Sequence, residues 1–176
     1  PAHQENADLV QPDHLKRILD ELARQYDFVV VDTATVINDM ILTALDQADR
    51  IVLVATPDIP SIKNARLFFE VTDALNYQPS KIMLVLNKMD KRSGITAQMI
   101  EENVKHPVSG QIPLDETLVL NSINRGVPFM VDARTKPMAR AMQQFADRIV
   151  ADVAPAMADA SASQEGGKKR TGIFNR

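Results

Sequence analysis

The hydrophobic residues of the chain form four short, continuous runs that are separated by longer stretches with helical spacing. The runs are FVVV from Phe28, IVLVA from Ile51, IMLVL from Ile82 and the weaker VSGQI from Val108. Continuous and largely β-branched runs are typical of strands covered on both faces, because a strand with one solvated face alternates. The pattern therefore predicts four buried strands.

The stretches around these runs predict helices, in which apolar residues recur every three or four positions. We expect Asp13, Ser61 and Thr96 to cap three of them and Gly126 to end another. The predicted segments are PDHLKRILDELARQ, DMILTALDQA, SIKNARLFFEVTDALN, TAQMIEENV, DETLVLNSINRG and KPMARAMQQFADRIVADV. The residues predicted to face inward are Leu67, Phe68, Val71, Ala74 and Leu75 in the third segment, and Met138, Ala141, Met142, Phe145 and Ile149 in the last.

The alternation of strands and helices predicts an α/β fold, a parallel β-sheet layered between helices. Residues 1–10 are polar and predicted to be a linker, and residues 11–154 form the folded domain. Residues 155–176 are rich in small and polar side chains, so we expect a flexible basic tail there.

Composition excludes several classes of function. The net charge of −3 and a pI near 5.6 argue against a general nucleic-acid binder, with a local basic patch as the alternative, and no specific nucleic acid is expected as a partner. The chain has no cysteine, so disulfides and thiolate chemistry are excluded. No apolar run reaches the roughly 20 residues of a membrane-spanning helix. His3, His14 and His106 lack the spacing of metal ligands and are predicted to lie at the surface.

The first candidate site residue is Asp32, at the end of YDFVVVD. Ligands of open parallel sheets bind beyond the carboxyl ends of the strands. An acid at that position is typical of a Walker B strand, which directs a carboxylate at the magnesium of a bound nucleotide. An Asp that caps the following turn gives the same pattern.

The second candidate is the Asn87-Lys88-Met89-Asp90 stretch after the third run, which matches the NKxD box of GTPases. The Asn amide offers a donor and an acceptor to a purine edge, and the Lys stem can cover the base. A polar strand-to-loop junction explains the same residues. A GTPase also has Asp-x-x-Gly after its Walker B strand, but no glycine occurs between Asp32 and Gly94. The Ser-Ala type of loop expected after the next strand is replaced by IPLDE.

The chain from Tyr26 to Ile149 resembles the MinD/ParA family of P-loop ATPases, and most of all its CpaE-like members, which are associated with pilus assembly. The motifs that carry the resemblance are YDFVVVD, ALDQADRIVLVATPDIPSIKNARLF, LVLNKMDKRSGIT and IPLDETLVLNSINRGVPF. Several linked motifs in the same order are more specific than any one of them.

The resemblance implies ATP and Mg²⁺ as cofactors. It assigns Asp32 to the Walker B role at the metal, Asn87 and Lys88 to the adenine, and Pro113–Asp115 to the other wall of the base pocket. It also implies a homodimer that closes on ATP and acts with pilus, secretion or cell-division machinery. The expected location is the cytoplasm, with peripheral binding to the inner face of the membrane as a further expectation.

Two departures from the family pattern shape the expectation. The Walker A loop is absent, which together with Pro1 suggests the C-terminal part of a P-loop ATPase domain. The TATVIND segment lacks the Pro and Gly of the family's switch loop, so a non-catalytic pseudo-ATPase scaffold stays open beside the ATPase and the GTPase.

The C-terminal tail is predicted to be solvated, with membrane contact as the alternative. Its basic and apolar residues are Lys168, Lys169, Arg170, Ile173, Phe174 and Arg176.

We expect these 176 residues by themselves to bind ATP weakly and not to hydrolyse it. A P-loop supplies backbone amides, a helix N-terminus and a lysine to the phosphates, and most of the affinity for triphosphate comes from these groups. Isothermal titration calorimetry with Mg²⁺ and ATP checks this, and a micromolar Kd would contradict it.

Overall fold

The computed structural model describes residues 10–165, with side chains for residues 10–154. Within that range the chain forms three strands and seven α-helices. The strands are β1 (Ile51–Ala55), β2 (Ile82–Met89) and β3 (Val108–Pro113). The helices are α1 (Pro12–Gln25), α2 (Asp39–Gln47), α3 (Ile59–Ala74), α4 (Ala97–Val104), α5 (Glu116–Arg125), α6 (Phe129–Asp132) and α7 (Pro137–Glu165).

The chain divides into two compact units. In one, α1 and α2 pack against each other. The other spans Arg50–Asp159 and contains the three described strands together with helices α3 to α6 and most of α7. The candidate base-binding residues all belong to the second unit.

The three strands form a parallel sheet in the order β1-β2-β3, so β2 is central. Ile51 pairs with Ile82 at one end of β1 and Ala55 with Leu86 at the other. Parallel neighbours require a crossover, which α3 and α4 provide after β1 and β2. This confirms the predicted α/β class with a parallel sheet flanked by helices.

The core of the second unit is built on β2, whose first five residues are all buried. Met83 and Val85 point to one face of the sheet and join Ile112, Met138 and Phe145 in a single cluster. Because side chains alternate along a strand, Leu84 and Leu86 point to the other face. Buried side chains of α3 and α4 also contribute to the core: Ala65, Phe69, Thr72, Ile100 and Val104.

Gly110 of β3 lets α7 approach the sheet closely. A Cβ atom built on Gly110 would lie 2.6 Å from Cδ2 of Phe145. Such a contact is shorter than side chains tolerate in a packed core. The glycine is therefore required by the packing of α7 on β3, and its φ angle is not what demands it.

The predicted strand at Phe28 is wrong in the described structure. Residues Phe28–Val31 form no ladder, and their side chains are exposed, Val30 to 94%. A strand exists only where its backbone groups pair with a neighbour. Hydrophobicity and β-branching set a preference for strand, but they cannot supply that neighbour.

The predicted coverage of β1 on both faces is also wrong. Val52 and Val54 are exposed, although their register partners Met83 and Val85 are buried. Neighbouring partners in a sheet share a face, so the cluster beneath α7 covers that face at β2 and does not extend over β1.

The inward face of α3 differs from the predicted one. Its buried residues are Ala65, Phe69 and Thr72, whereas Leu67, Val71 and Leu75 are exposed. Apolar residues occur around most of this helix, so periodicity selected the wrong stripe. In α7 the prediction holds better: Met138 and Phe145 are buried, Ala141 and Ile149 pack against them, and Met142 is exposed.

Helix ends were predicted in part. Thr96 caps α4 by accepting a hydrogen bond from the Met99 amide, and Gly126 ends α5 with φ +66°. Ser61 is not the cap of α3, because Asp58 accepts from the Ser61 amide instead. Asp13 lies in the first turn of α1, whose N-cap is Gln11.

His106 is buried, contrary to the surface location predicted for it. Its ring stacks on Phe69 at a centroid distance of 4.3 Å. Nδ1 lies 3.0 Å from the Pro107 carbonyl oxygen and Nε2 lies 3.2 Å from that of Pro79. A ring nitrogen that carries a proton can donate to the carbonyl oxygen beside it, so at least one polar group of the buried ring has a partner.

The last helix continues to Glu165, beyond the predicted end at Val153. The basic residues of the predicted tail lie in 166–176, outside the described residues. In the described part of the chain, no helix is both long and apolar enough to cross a membrane.

We expect Phe69→Ala to lower the free energy of unfolding by about 3–5 kcal/mol, because it empties a buried site that also holds the His106 ring. Leu67→Ala on the same helix is the matched control and should change it by about 0.5 kcal/mol. Urea denaturation followed by circular dichroism measures both. Equal losses for the two variants would mean that the helix is rotated from the described orientation.

Candidate functional site

Three segments with polar side chains lie at or just beyond the carboxyl ends of the three strands: Thr56–Asp58, Asn87–Asp90 and Pro113–Asp115. In a parallel sheet the carboxyl ends of all strands lie at one edge, and this edge is where ligands bind. The fold therefore brings together the candidate base-binding residues of the sequence.

The end of β2 carries a bulge that positions Asn87 and Lys88. Leu86 pairs with Gln111 and Met89 with Pro113, so β2 has one more residue than β3 between these pairs. Lys88 adopts a left-handed conformation with φ +56°, which is uncommon for a residue with a Cβ atom. Bulges of this kind redirect side chains and are frequent beside functional sites.

The Asn87 side chain stabilises this bulge from within. Its Oδ1 accepts a hydrogen bond from the Lys88 amide at 2.8 Å. The side-chain oxygen therefore has a structural partner, and the NH₂ group supplies the donors of Asn87. The side chain of Lys88 is exposed and lies within electrostatic range of Asp58.

An open depression of about 490 Å³ lies between the ends of β2 and β3. The backbone closes it at one side, where the Leu114 amide donates to the Met89 carbonyl at 2.9 Å. Its lining combines two apolar side chains with polar and charged ones: Met89, Asp90, Lys91, Arg92, Leu114, Asp115, Glu116 and Thr117. Six of the eight lining residues are polar or charged, so the depression is more polar than most sites for small molecules, whose walls are mainly apolar.

Asp115 lines the depression and also begins α5. Its Oδ1 accepts a hydrogen bond from the Leu118 amide at 3.0 Å. This is an N-cap, which satisfies one of the unpaired amides at the start of a helix. The predicted base-wall residue therefore has a structural role, and the helix N-terminus beside it adds a partial positive charge.

Asp90 is bound tightly by Arg92, two residues further along the chain. The Arg92 guanidinium Nη2 donates to Oδ2 at 2.7 Å, and the Arg92 amide donates to Oδ1 at 2.9 Å. The hydrogen bond from the Arg92 side chain is the largest cause that lowers the pKa of Asp90, followed by the bond from the Arg92 amide. The same pair raises the pKa of Arg92, with a smaller contribution from Glu116.

Asp58, at the end of β1, is held in a similar way. The Thr56 hydroxyl and the Ser61 amide both donate to its carboxylate. The Thr56 hydrogen bond is the largest cause that lowers the pKa of Asp58. The Ser61 hydroxyl in turn accepts from the Thr56 amide at 2.9 Å, so the turn between β1 and α3 is closed by its own side chains.

Asp32 lies in a different part of the chain from these residues. It belongs to the unit that contains α1 and α2, in an exposed segment without regular secondary structure. Among the described residues, no group of three or more His, Asp or Glu side chains is arranged to hold a metal ion. The Walker B role of Asp32 stays a prediction.

The structure thus places Asn87, Lys88, Pro113 and Asp115 at the ends of β2 and β3, with Asp115 in the lining of the depression. Their part in nucleotide binding stays a prediction. Sequence reasoning did not single out Arg92, although it is the main partner of Asp90. The signal was present: an arginine two residues after an acid that caps a turn can fold back onto it.

We expect the Asp90 carboxyl to titrate below its ordinary pKa of 3.8. A lowered folded-state pKa means that the pair stabilises the fold above the ordinary value and that this stabilisation is lost as the pH falls through the lowered pKa. The ¹³Cγ chemical shift of Asp90 followed by NMR reports the midpoint. In Arg92→Ala the midpoint should rise, and a wild-type midpoint at or above 3.8 would contradict the ion pair.

Comparison with curated proteins gives relatives among septum-site determining proteins. The chain is 23% identical over 153 residues to MinD of Thermotoga maritima and 26% identical over 152 residues to MinD of Bacillus subtilis. These matches cover 84% and 83% of the chain, but only 56% and 55% of the relatives. The chain therefore spans about half the length of the curated relatives it matches. No family model matches the sequence.

Comparison with solved structures gives the same group. A ParA family ATPase from Chlorobium tepidum matches with a TM-score of 0.75 and 25% identity, over 83% of this chain and 61% of that one. MinD from Pyrococcus horikoshii, solved in complex with Mg-ADP, matches with a TM-score of 0.65 and 20% identity, over 79% and 56%. Thus MinD/ParA-family P-loop ATPases are the homologues of this chain in sequence and share its parallel α/β fold.

Proposed function

We propose that this chain is the base-binding portion of a nucleotide-dependent ATPase of the MinD/ParA type. The observation that carries the proposal is the depression between the ends of β2 and β3, in a chain whose relatives are MinD and ParA proteins. The adenine of ATP would lie at this edge, between the Asn87–Lys88 bulge and the Pro113–Asp115 wall. Asp32 would hold Mg²⁺, directly or through water.

The arrangement suits a binding step more than bond-breaking chemistry. The bulge presents the Asn87 NH₂ group, and the start of α5 presents backbone amides beside Asp115. These groups recognise and orient a base, whereas the phosphates need a cradle of amides. ATP with Mg²⁺ would then act as the ligand of a switch that shifts the protein towards a closed homodimer.

The cellular role that fits this switch is localisation or assembly. Solved relatives include a complex of MinC with MinD from Aquifex aeolicus. By analogy, the dimer would recruit a partner from cell-division machinery or, for a CpaE-like protein, from pilus or secretion machinery. The protein would act in the cytoplasm with a solvated basic tail; the alternative is a peripheral contact of the tail with the inner face of the membrane.

A non-catalytic scaffold is the second candidate. The observation in its favour is the segment after Asp32, where no glycine occurs before Gly94. Without a glycine to present an amide near the γ-phosphate, the water that attacks it is poorly positioned. Such a protein would bind ATP and dimerise but hydrolyse ATP slowly.

GTP is disfavoured as the ligand, because Arg92 already binds the Asp90 carboxylate.

The test uses the protein at its natural length, with ATP, Mg²⁺ and the variants Asn87→Ala and Asp32→Asn. We expect Asn87→Ala to weaken ATP binding by about 10-fold, because it removes one set of hydrogen bonds to the base. Asp32→Asn should lower Mg²⁺-dependent hydrolysis by about 100-fold, since a metal ligand stabilises several kcal/mol of developing charge. A fluorescent ATP analogue and phosphate release measure the two effects.

Asp20→Asn, which removes an exposed carboxylate from α1, is the matched control and should change neither quantity. ATP-dependent dimerisation is followed by light scattering after gel filtration. Binding without hydrolysis in the wild type would favour the scaffold, and a wild type that binds no nucleotide would reject the proposal.

A further inference from the structure

The Asp90 carboxylate is occupied on both oxygens by one planar side chain. Arg92 Nε lies 3.1 Å from Oδ1 and 3.0 Å from Oδ2, and Nη2 lies 2.7 Å from Oδ2. The Arg92 amide adds a fourth bond, to Oδ1 at 2.9 Å. A guanidinium that faces a carboxylate with two neighbouring N–H groups makes a strong bidentate pair.

The donor pattern of this guanidinium is the same as that of guanine. The N1–H and N2–H₂ groups of guanine form a planar pair of neighbouring donors on an N–C–N unit, and the NKxD aspartate of a GTPase accepts both. Adenine has no such pair, because its N1 is an acceptor. In this chain the acid of the Asn87–Asp90 stretch therefore already holds an internal analogue of the guanine edge.

The position of the pair makes it relevant to a ligand. Asp90 and Arg92 both line the depression between the ends of β2 and β3. The Asp90 side chain is 24% exposed and that of Arg92 is 86% exposed, so a base entering the depression meets the pair directly. Asp90 also caps the short turn Lys91–Ser93, which fixes the carboxylate in place.

Arg92 is a strong competitor because it is part of the same chain. A partner two residues away acts at a high effective concentration, so a free guanine has to displace a group that loses little entropy when it rebinds. Glu116 also lines the depression, and its charge contributes to the raised pKa of Arg92.

We infer that Arg92 is a specificity-determining residue that excludes guanine nucleotides by occupying the Asp90 carboxylate. The inference rests on the proposed nucleotide function and names the residue that sets its base preference. With Arg92 in place, Asp90 is not available as the acceptor for the two N–H groups of guanine, so guanine loses the contact that would favour it over adenine. Adenine loses no hydrogen bond, because it lacks the pair of donors that would bind the Asp90 carboxylate.

The experiment measures Kd for Mg·ATP and Mg·GTP by competition against a fluorescent ATP analogue, with the protein at its natural length. We expect Arg92→Ala to raise the affinity for GTP relative to ATP by about 10-fold, since one bidentate pair becomes available to guanine. The backbone bond from residue 92 to Asp90 remains in this variant, so the turn and its carboxylate are retained. Arg92→Lys keeps the charge without the planar pair of donors and should give a smaller rise.

Two further variants isolate the cause. Adding Asp90→Asn to Arg92→Ala should abolish the gain in GTP affinity, because the acceptor pair is lost. Arg140→Ala, which removes an exposed arginine from α7, should leave the ratio of the two affinities unchanged. A wild type that binds ATP, with the same ratio in Arg92→Ala, would overturn the role of Arg92 and leave the proposed function standing. A wild type that binds neither nucleotide would overturn both.

Discussion

The burial of β2 between two parallel neighbours is the constraint on which the second unit depends. Its backbone groups pair with β1 and β3, and its side chains alternate between two faces, with the cluster beneath α7 on one of them. Leu84 and Leu86 are fully buried, so this strand cannot shift by one residue without moving its apolar side chains to the opposite face. A fixed register also fixes where the strand ends, and the candidate site is made of residues that lie at that end or just beyond it.

The shape of the candidate site depends on hydrogen bonds between residues close in sequence, at the ends of the strands of this sheet. The bulge at Asn87 and Lys88, the cap by Asp115 and the turn capped by Asp90 each use a side chain to satisfy backbone groups close to it in sequence. The same carboxylates and amides would meet a nucleotide. A substitution at Asp115 would therefore alter the start of α5 as well as the proposed ligand contact.

Two independent observations support the proposed function. One is the similarity to MinD and ParA proteins, and the other is the depression at the strand ends. The solved relatives share the parallel fold at 20–25% identity. The fold alone would be compatible with many activities. The proposed activity therefore rests on the residues at the strand ends, where Arg92 binds the acid of the Asn-Lys-x-Asp stretch.

The sequence by itself determined the class of the fold, three of its strands, and the ends of helices such as those at Thr96 and Gly126, because these depend on short-range patterns of burial and backbone conformation. It did not determine whether FVVV becomes a strand, since pairing requires a neighbour that hydrophobicity does not encode. The buried face of α3 and the burial of His106 were likewise decided by packing, because several stripes of the helix are apolar and histidine occurs both at the surface and in the interior of proteins. Only the tertiary structure showed that Arg92 binds Asp90 in the lining of the depression. The Arg92 side chain can reach Asp90 only after the turn between them has formed. The depression itself exists only where the ends of β2 and β3 lie side by side.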